Sequence, residues 1–103
     1  MKFLVVSKAK MPFPAEMALV LTEAVEAWAQ KYVASGKIEQ VWGFAGLQGG
    51  GGICNVESLD EFDSMMTEFP YAPFSDTEVY GLTDFGVRMG NQKQLIKKMA
   101  PPK

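Results

Sequence analysis

The clearest alternation in the chain runs from Ile38 to Ala45. Ile38, Gln40, Trp42 and Phe44 fall on one face of a period-2 pattern and Glu39, Val41, Gly43 and Ala45 on the other, which predicts a strand with one large face and one small face. The glycines Gly49 to Gly52 follow, then Ile53 to Val56. Four successive glycines cost backbone entropy, so they are expected at a hairpin turn leading into a second strand.

Upstream, Lys2 to Ser7 encloses a continuous apolar run with β-branched residues, the pattern of a central strand covered on both faces. Between Ala15 and Ser35, Met17, Leu21, Ala24, Val25, Trp28 and Tyr32 recur at spacings of three and four. They predict one stripe of a helix of about five turns. Pro14 suits the first helical position and Gly36 the C-terminal cap. Ser58 and Glu61 have the spacing of a capping box. A second helix therefore starts there, with Leu59, Phe62, Met66 and Phe69 as its buried stripe and Pro70 as its stop. Thr77 to Leu82 reads as a fourth strand. After Gly86, the residues Asn91, Leu95, Ile96 and Met99 predict a short amphipathic helix ended by Pro101-Pro102, too short to stand without a docking surface.

The order β-α-β-β-α-β with a tail helix is that of an α+β, ferredoxin-like fold. Its four-stranded antiparallel sheet is expected in the order 4-1-3-2, with both helices on one face. Residues 1–85 form this domain and residues 86–103 a C-terminal tail. The strand at Lys2 to Ser7 is apolar on both faces, yet the helices cover only one. A second copy is therefore expected over the open face, as in a dimeric α+β barrel, giving a homodimer or higher homo-oligomer.

Composition narrows this further. With 103 residues, 48% of them hydrophobic, the chain fits one domain. No apolar run near its start approaches the ~20 residues of a membrane helix, so a soluble, cytoplasmic protein without a membrane partner is expected. The single cysteine, Cys54, allows no internal disulfide and fits a reducing compartment as a small buried hydrophobe. Charge is unevenly spread: residues 1–85 hold five Lys against twelve Asp and Glu, while residues 86–103 hold five basic residues and no acid. The body carries no basic patch interleaved with aromatics, which argues against nucleic acid. With no histidine and one cysteine, the chain lacks the usual donors for a transition metal. The glycine run enters a strand and lacks the Lys-Ser/Thr of a phosphate loop, so no nucleotide is expected there.

The stretches GKIEQVWGFAG, ICNVESLDEFDSMM and FPYAPFSDTEV resemble the muconolactone isomerase family. The resemblance rests on Trp42, on the Val-x-Ser-x-x-Glu opening at Val56 to Glu61, and on the approach to the last strand at Pro70 to Val79, and it covers about residues 1–85. It implies ferredoxin-like dimers, often assembled into larger rings, and a cofactor-free proton transfer across an unsaturated lactone. Departures are local. The family's acidic pair in the first helix is matched by Ala24 and Val25, with Glu26 one step away, and two of its histidines are matched by Gln40 and Leu47.

On these grounds Trp42 and Phe44 are candidate substrate-binding residues and Gln40 the polar handle, the makeup of a small-molecule pocket; filling a dimer interface is the alternative role. Glu78 is the candidate catalytic carboxylate, because facing a barrel interior would desolvate it. Tyr71 and Tyr80 are possible hydrogen-bond donors. Two function classes stay open: an isomerase-like enzyme acting on a small apolar or aromatic-derived compound, and a non-catalytic ligand-binding or oligomeric assembly protein of the same fold.

Overall fold

One antiparallel sheet organises the chain. In a computed structural model describing residues 1–100, the elements follow as β1 (Lys2–Ala9), α1 (Ala15–Ala34), β2 (Ile38–Gly43), β3 (Gly49–Asn55), α2 (Leu59–Thr67), a single 3₁₀ turn (Ala72–Phe74), β4 (Ser75–Leu82) and α3 (Phe85–Met99). The sheet order is β2-β3-β1-β4, the order expected from the ferredoxin-like connectivity. Central β1 pairs with β3 on one side and β4 on the other, so β1 reads as a strand flanked throughout.

Caps fix the helix ends. At the end of α1, Gly36 takes φ +79°, the left-handed conformation that glycine adopts without a Cβ penalty. The Gly36 N–H donates to the Val33 carbonyl and the Lys37 N–H to that of Tyr32, a Schellman closure. Ser58 Oγ accepts from the Glu61 N–H at 3.1 Å and so caps α2, as the capping-box spacing predicts. Pro14 sits one step earlier than expected, outside the helix as its N-cap, because its ψ of 130° is extended.

The core lies between the helices and one sheet face. Val5, Tyr32, Ile38, Cys54 and Met65 form it, with Phe3, Trp28, Phe62 and Met66 packed against them. Phe3 and Phe62 pack with tilted rings at 4.6 Å between centroids, which tells which sheet face the helices cover. Met65 is the most enclosed residue, at 1% exposed. Leu59, expected in the buried stripe of α2, is instead 62% exposed: it is the first residue of the helix, where the turn has not yet reached the sheet.

The glycine run departs from expectation. Gly49 to Gly52 are not the turn; they are the first half of β3 and pair with both β1 and β2. The reason is close approach. A Cβ on Gly49 or Gly51 would stand 2.5 or 2.8 Å from the Ser7 or Val5 carbonyl oxygen of β1, and one on Gly50 or Gly52 would stand 2.6 Å from the Trp42 or Gln40 carbonyl of β2. Any side chain here would push the sheet apart. The turn itself falls at Phe44–Leu47, where Gly46 adopts φ +74° in a reverse turn closed by the Leu47 N–H on the Phe44 carbonyl.

The tail is a helix of 15 residues, longer than expected, opened by Asp84, whose Oδ2 accepts from the Val87 N–H. None of its residues is buried. The predicted stop at Pro101-Pro102 lies outside the described residues.

Candidate functional site

The sheet face away from the helices is open, and register places most of the sequence-predicted site residues on it. A break in register between Ile38 and Gln40 makes this so. Without it, Ile38, Gln40 and Trp42 would share a face, as simple alternation predicts. With the bulge, one residue is added and the sides exchange: Ile38 stays in the core at 3% exposed, while Gln40 and Trp42 turn to the open side.

Two rows then cross the open face. In one, Trp42 pairs with Gly51, Gly51 with Val6, and Val6 with Glu78; in the next, Gln40 pairs with Ile53, Ile53 with Leu4, and Leu4 with Tyr80. Three strand spacings separate the ends of each row, about 14 Å between backbones. The Trp42 indole Nε1 lies 3.6 Å from where a Gly51 Cβ would be. Phe44, just past β2, lays its ring 3.3 and 3.8 Å from the Cβ positions of Gly49 and Gly51. The glycines therefore serve as a floor for two aromatic rings. At the far end, the Tyr80 hydroxyl donates to Glu78 Oε2, and this bond to a carboxylate holds the Tyr80 phenol above its ordinary pKa. Trp42 is 39% and Tyr80 50% exposed, so the face is an open, largely apolar strip with a carboxylate at one edge and an amide at the other.

A concavity lies on the helix side. A cavity of about 450 Å³ opens between α1, the β1–β3 ladder and the Phe69–Ser75 connection. Ser7, Phe13, Thr22, Gln48, Phe69 and Tyr71 are among its walls, and no Asp, Glu, Lys or Arg lines it. Thr22 Oγ1 and the Tyr71 hydroxyl are 2.6 Å apart, and the Phe13 ring stacks on Tyr71 at 4.7 Å. Gln40, Trp42, Phe44 and Glu78 do not line it, since they lie across the sheet. Tyr71 was a candidate donor from sequence; Ser7, Thr22 and Gln48 were not, because they come from distant segments and carry no motif.

Remaining chemistry is structural. Cys54 is 3% exposed, and burial pushes its thiol up to about 11, which keeps it protonated and inert. Glu68 accepts from Tyr32 Oη at 2.5 Å and from Lys31 Nζ at 3.2 Å. These bonds, led by Tyr32, hold its carboxyl below the usual range and tie the end of α2 to α1. Among the described residues, no helix is long and apolar enough to cross a membrane.

Comparison with known proteins agrees with this fold. No curated protein matches the sequence. Among solved structures, the chain is similar to muconolactone isomerase, at 26% identity and TM-score 0.74 over 82% of this chain and 90% of that one. It is also similar in fold to 5-chloro-2-hydroxyhydroquinone dehydrochlorinase from Burkholderia phenoliruptrix, solved with 2,5-dihydroxybenzoquinone, at 23% identity and TM-score 0.65 over 81% and 94% of the two chains. The family model for muconolactone delta-isomerase matches residues 1–87, which span the whole sheet and both helices that cover it. The chain therefore belongs to the muconolactone delta-isomerase family.

Proposed function

We propose that this protein is a small-molecule enzyme of the isomerase type that moves a proton without a cofactor on a small apolar or aromatic-derived ring, an unsaturated lactone being the first class to try. The observation that carries the reading is the single row Trp42–Gly51–Val6–Glu78 on the open sheet face, with the Tyr80 hydroxyl on the carboxylate. A ring over Val6 stacks against Trp42 and Phe44 and presents its edge to Glu78. A second copy laid on the face encloses this strip and excludes water, which strengthens every polar contact inside.

The step balances within the substrate. Glu78 takes a proton from the carbon beside the carbonyl, the electron pair moves into the conjugated system, and the proton returns to the far carbon as the double bond shifts. One C–H bond breaks, one forms, and the carboxylate is regenerated. Gln40, in the adjacent row, donates its amide N–H to the carbonyl oxygen where charge develops. Tyr80 holds the carboxylate in place. Incubating the protein with an unsaturated lactone in D₂O tests this: the natural chain should shift the double bond and incorporate deuterium, and Glu78→Gln should do neither while unfolding at the same temperature. Equal rates in the two proteins would remove Glu78 from the reaction.

A second reading is favoured by the helix-side cavity. Its walls offer hydroxyls, an amide and aromatic rings but no charge, so it suits a neutral ring that is held and not transformed. Under this reading the chain is a non-catalytic ligand-binding protein. Calorimetric binding of a neutral phenol, lost in Thr22→Val together with Tyr71→Phe and unaccompanied by turnover, would support it.

A further inference from the structure

The C-terminal helix is the part of the molecule that the proposed chemistry leaves unused. Along α3, Phe85, Met89, Ile96 and Met99 share one side and Leu95 borders it, a stripe at helical spacing. Apart from the half-buried Met89, its apolar residues are nonetheless bare: Phe85 and Met99 are each 75% exposed, Ile96 55% and Leu95 49%. A helix of 15 residues without tertiary packing is marginal in water, so this stripe calls for a partner.

Three observations favour another copy of the same chain as that partner. The first is shape. The radius of gyration is 17.8 Å and the extents are 67 × 29 × 24 Å, where a compact chain of this length has a radius of about 13 Å. The second is area. The chain exposes 7416 Å², whereas a compact monomer of 11.3 kDa exposes about 5,700 Å²; the excess exceeds the roughly 800 Å² per partner buried in a stable interface. The third is charge. The arm carries Arg88, Lys93, Lys97 and Lys98 and no acid, and the body is acidic.

One surface of the body complements the arm in both respects. The outer side of α1 exposes Leu19 at 69% and Val20 at 68%, and the exposed carboxylates Glu16, Glu23 and Glu26 stand around them on the same side of the helix. We propose that α3 is an exchange arm: its Leu95–Ile96–Met99 stripe packs on Leu19 and Val20 of a second copy, with its lysines beside that copy's Glu16, Glu23 and Glu26. The contact is heterologous, so it extends assemblies beyond the two-fold pairing available to the open sheet faces. It does not depend on which reaction the protein performs.

Cysteine cross-linking of the full chain tests the proposal. Val20→Cys and Ile96→Cys are made in separate proteins, both at exposed positions, with the buried Cys54 left in place. Mixed and mildly oxidised, the two should give a covalent dimer at twice the chain mass, with a yield that falls several-fold in 1 M NaCl as the charge pairing is screened. Glu23→Cys mixed with Met99→Cys is the second pair and should behave alike. Absence of a mixed dimer in both pairs, or a cross-link that forms only within one chain when both cysteines are placed in the same protein, overturns the exchange.

Discussion

Trp42 and Glu78 stand at opposite ends of one transverse row of the sheet, joined through Gly51 and Val6 by direct strand pairing. Thirty-six residues of sequence separate them, and β2 and β4 are the two edge strands. Their alignment comes from the register of three ladders at once. An aromatic surface at one edge and a hydrogen-bonded carboxylate at the other therefore face the same strip of apolar floor.

Tyr80 is expected to act as a positioning residue for Glu78. Tyr80→Phe removes the hydroxyl that donates to the carboxylate and leaves the ring. A hydrogen bond to a charged group is worth about 1.5–3 kcal/mol, so kcat should fall about 10- to 100-fold with KM little changed. Steady-state kinetics with a turned-over lactone checks the split; an equal rise in KM with unchanged kcat would assign Tyr80 to binding instead.

Gly50→Ala should destabilise the fold although glycine in a strand is usually the weaker choice. The new Cβ would stand 2.6 Å from the Trp42 carbonyl oxygen, which is backbone and cannot rotate away. The cost expected from such overpacking is about 1–3 kcal/mol, read as a lower urea midpoint at unchanged m-value. A stabilised variant would mean that β2 and β3 separate easily.

Met65→Ala should be the more damaging change in the core. Met65 is 1% exposed, and a Met-to-Ala cavity costs about 2–5 kcal/mol. The Trp28 indole N–H donates to the Met65 main-chain carbonyl at 3.0 Å, an acceptor that alanine keeps, so the loss of packing is read as a lower urea midpoint. Leu59→Ala, at a residue that is 62% exposed, should shift the midpoint far less, and equal losses at the two sites would contradict the packing described.

Alkaline stability should carry the signature of Cys54. Burial raises its thiol from 9.0 to about 11, so between these values the unfolded chain is thiolate while the folded chain still holds its proton. Stability is then fully present below about pH 9 and falls as pH rises toward 11. Comparing Cys54→Ala with the natural chain in urea melts at pH 8 and pH 10.5 checks this: the natural chain should lose more stability over the interval. The same burial predicts negligible alkylation of the folded protein by iodoacetamide at pH 8.

Several features were legible in the sequence because they depend on local backbone chemistry. The element order and the sheet order follow from period-2 and period-3.6 patterns joined by short connections. Ser58 caps α2 and Gly36 closes α1 because an N-cap hydroxyl and a left-handed glycine act within one turn of helix. The family motifs at Trp42, Val56 to Glu61 and Pro70 to Val79 lie within the matched residues 1–87.

The rest belongs to pairings between distant segments. The slip between Ile38 and Gln40 shows only against β3, and it alone decides that Gln40 and Trp42 face away from Ile38. The glycines at 49–52 look like a turn until neighbouring carbonyls are seen to occupy the places of their Cβ atoms. Met65 and Leu59 are both apolar in one short helix, and only the position of the sheet buries the first and leaves the second bare. Ser7, Thr22 and Tyr71 meet around a cavity from three separate segments of the chain. Periodicity records which side a residue prefers; register and close approach, fixed by strands far apart in the chain, decide what it meets there.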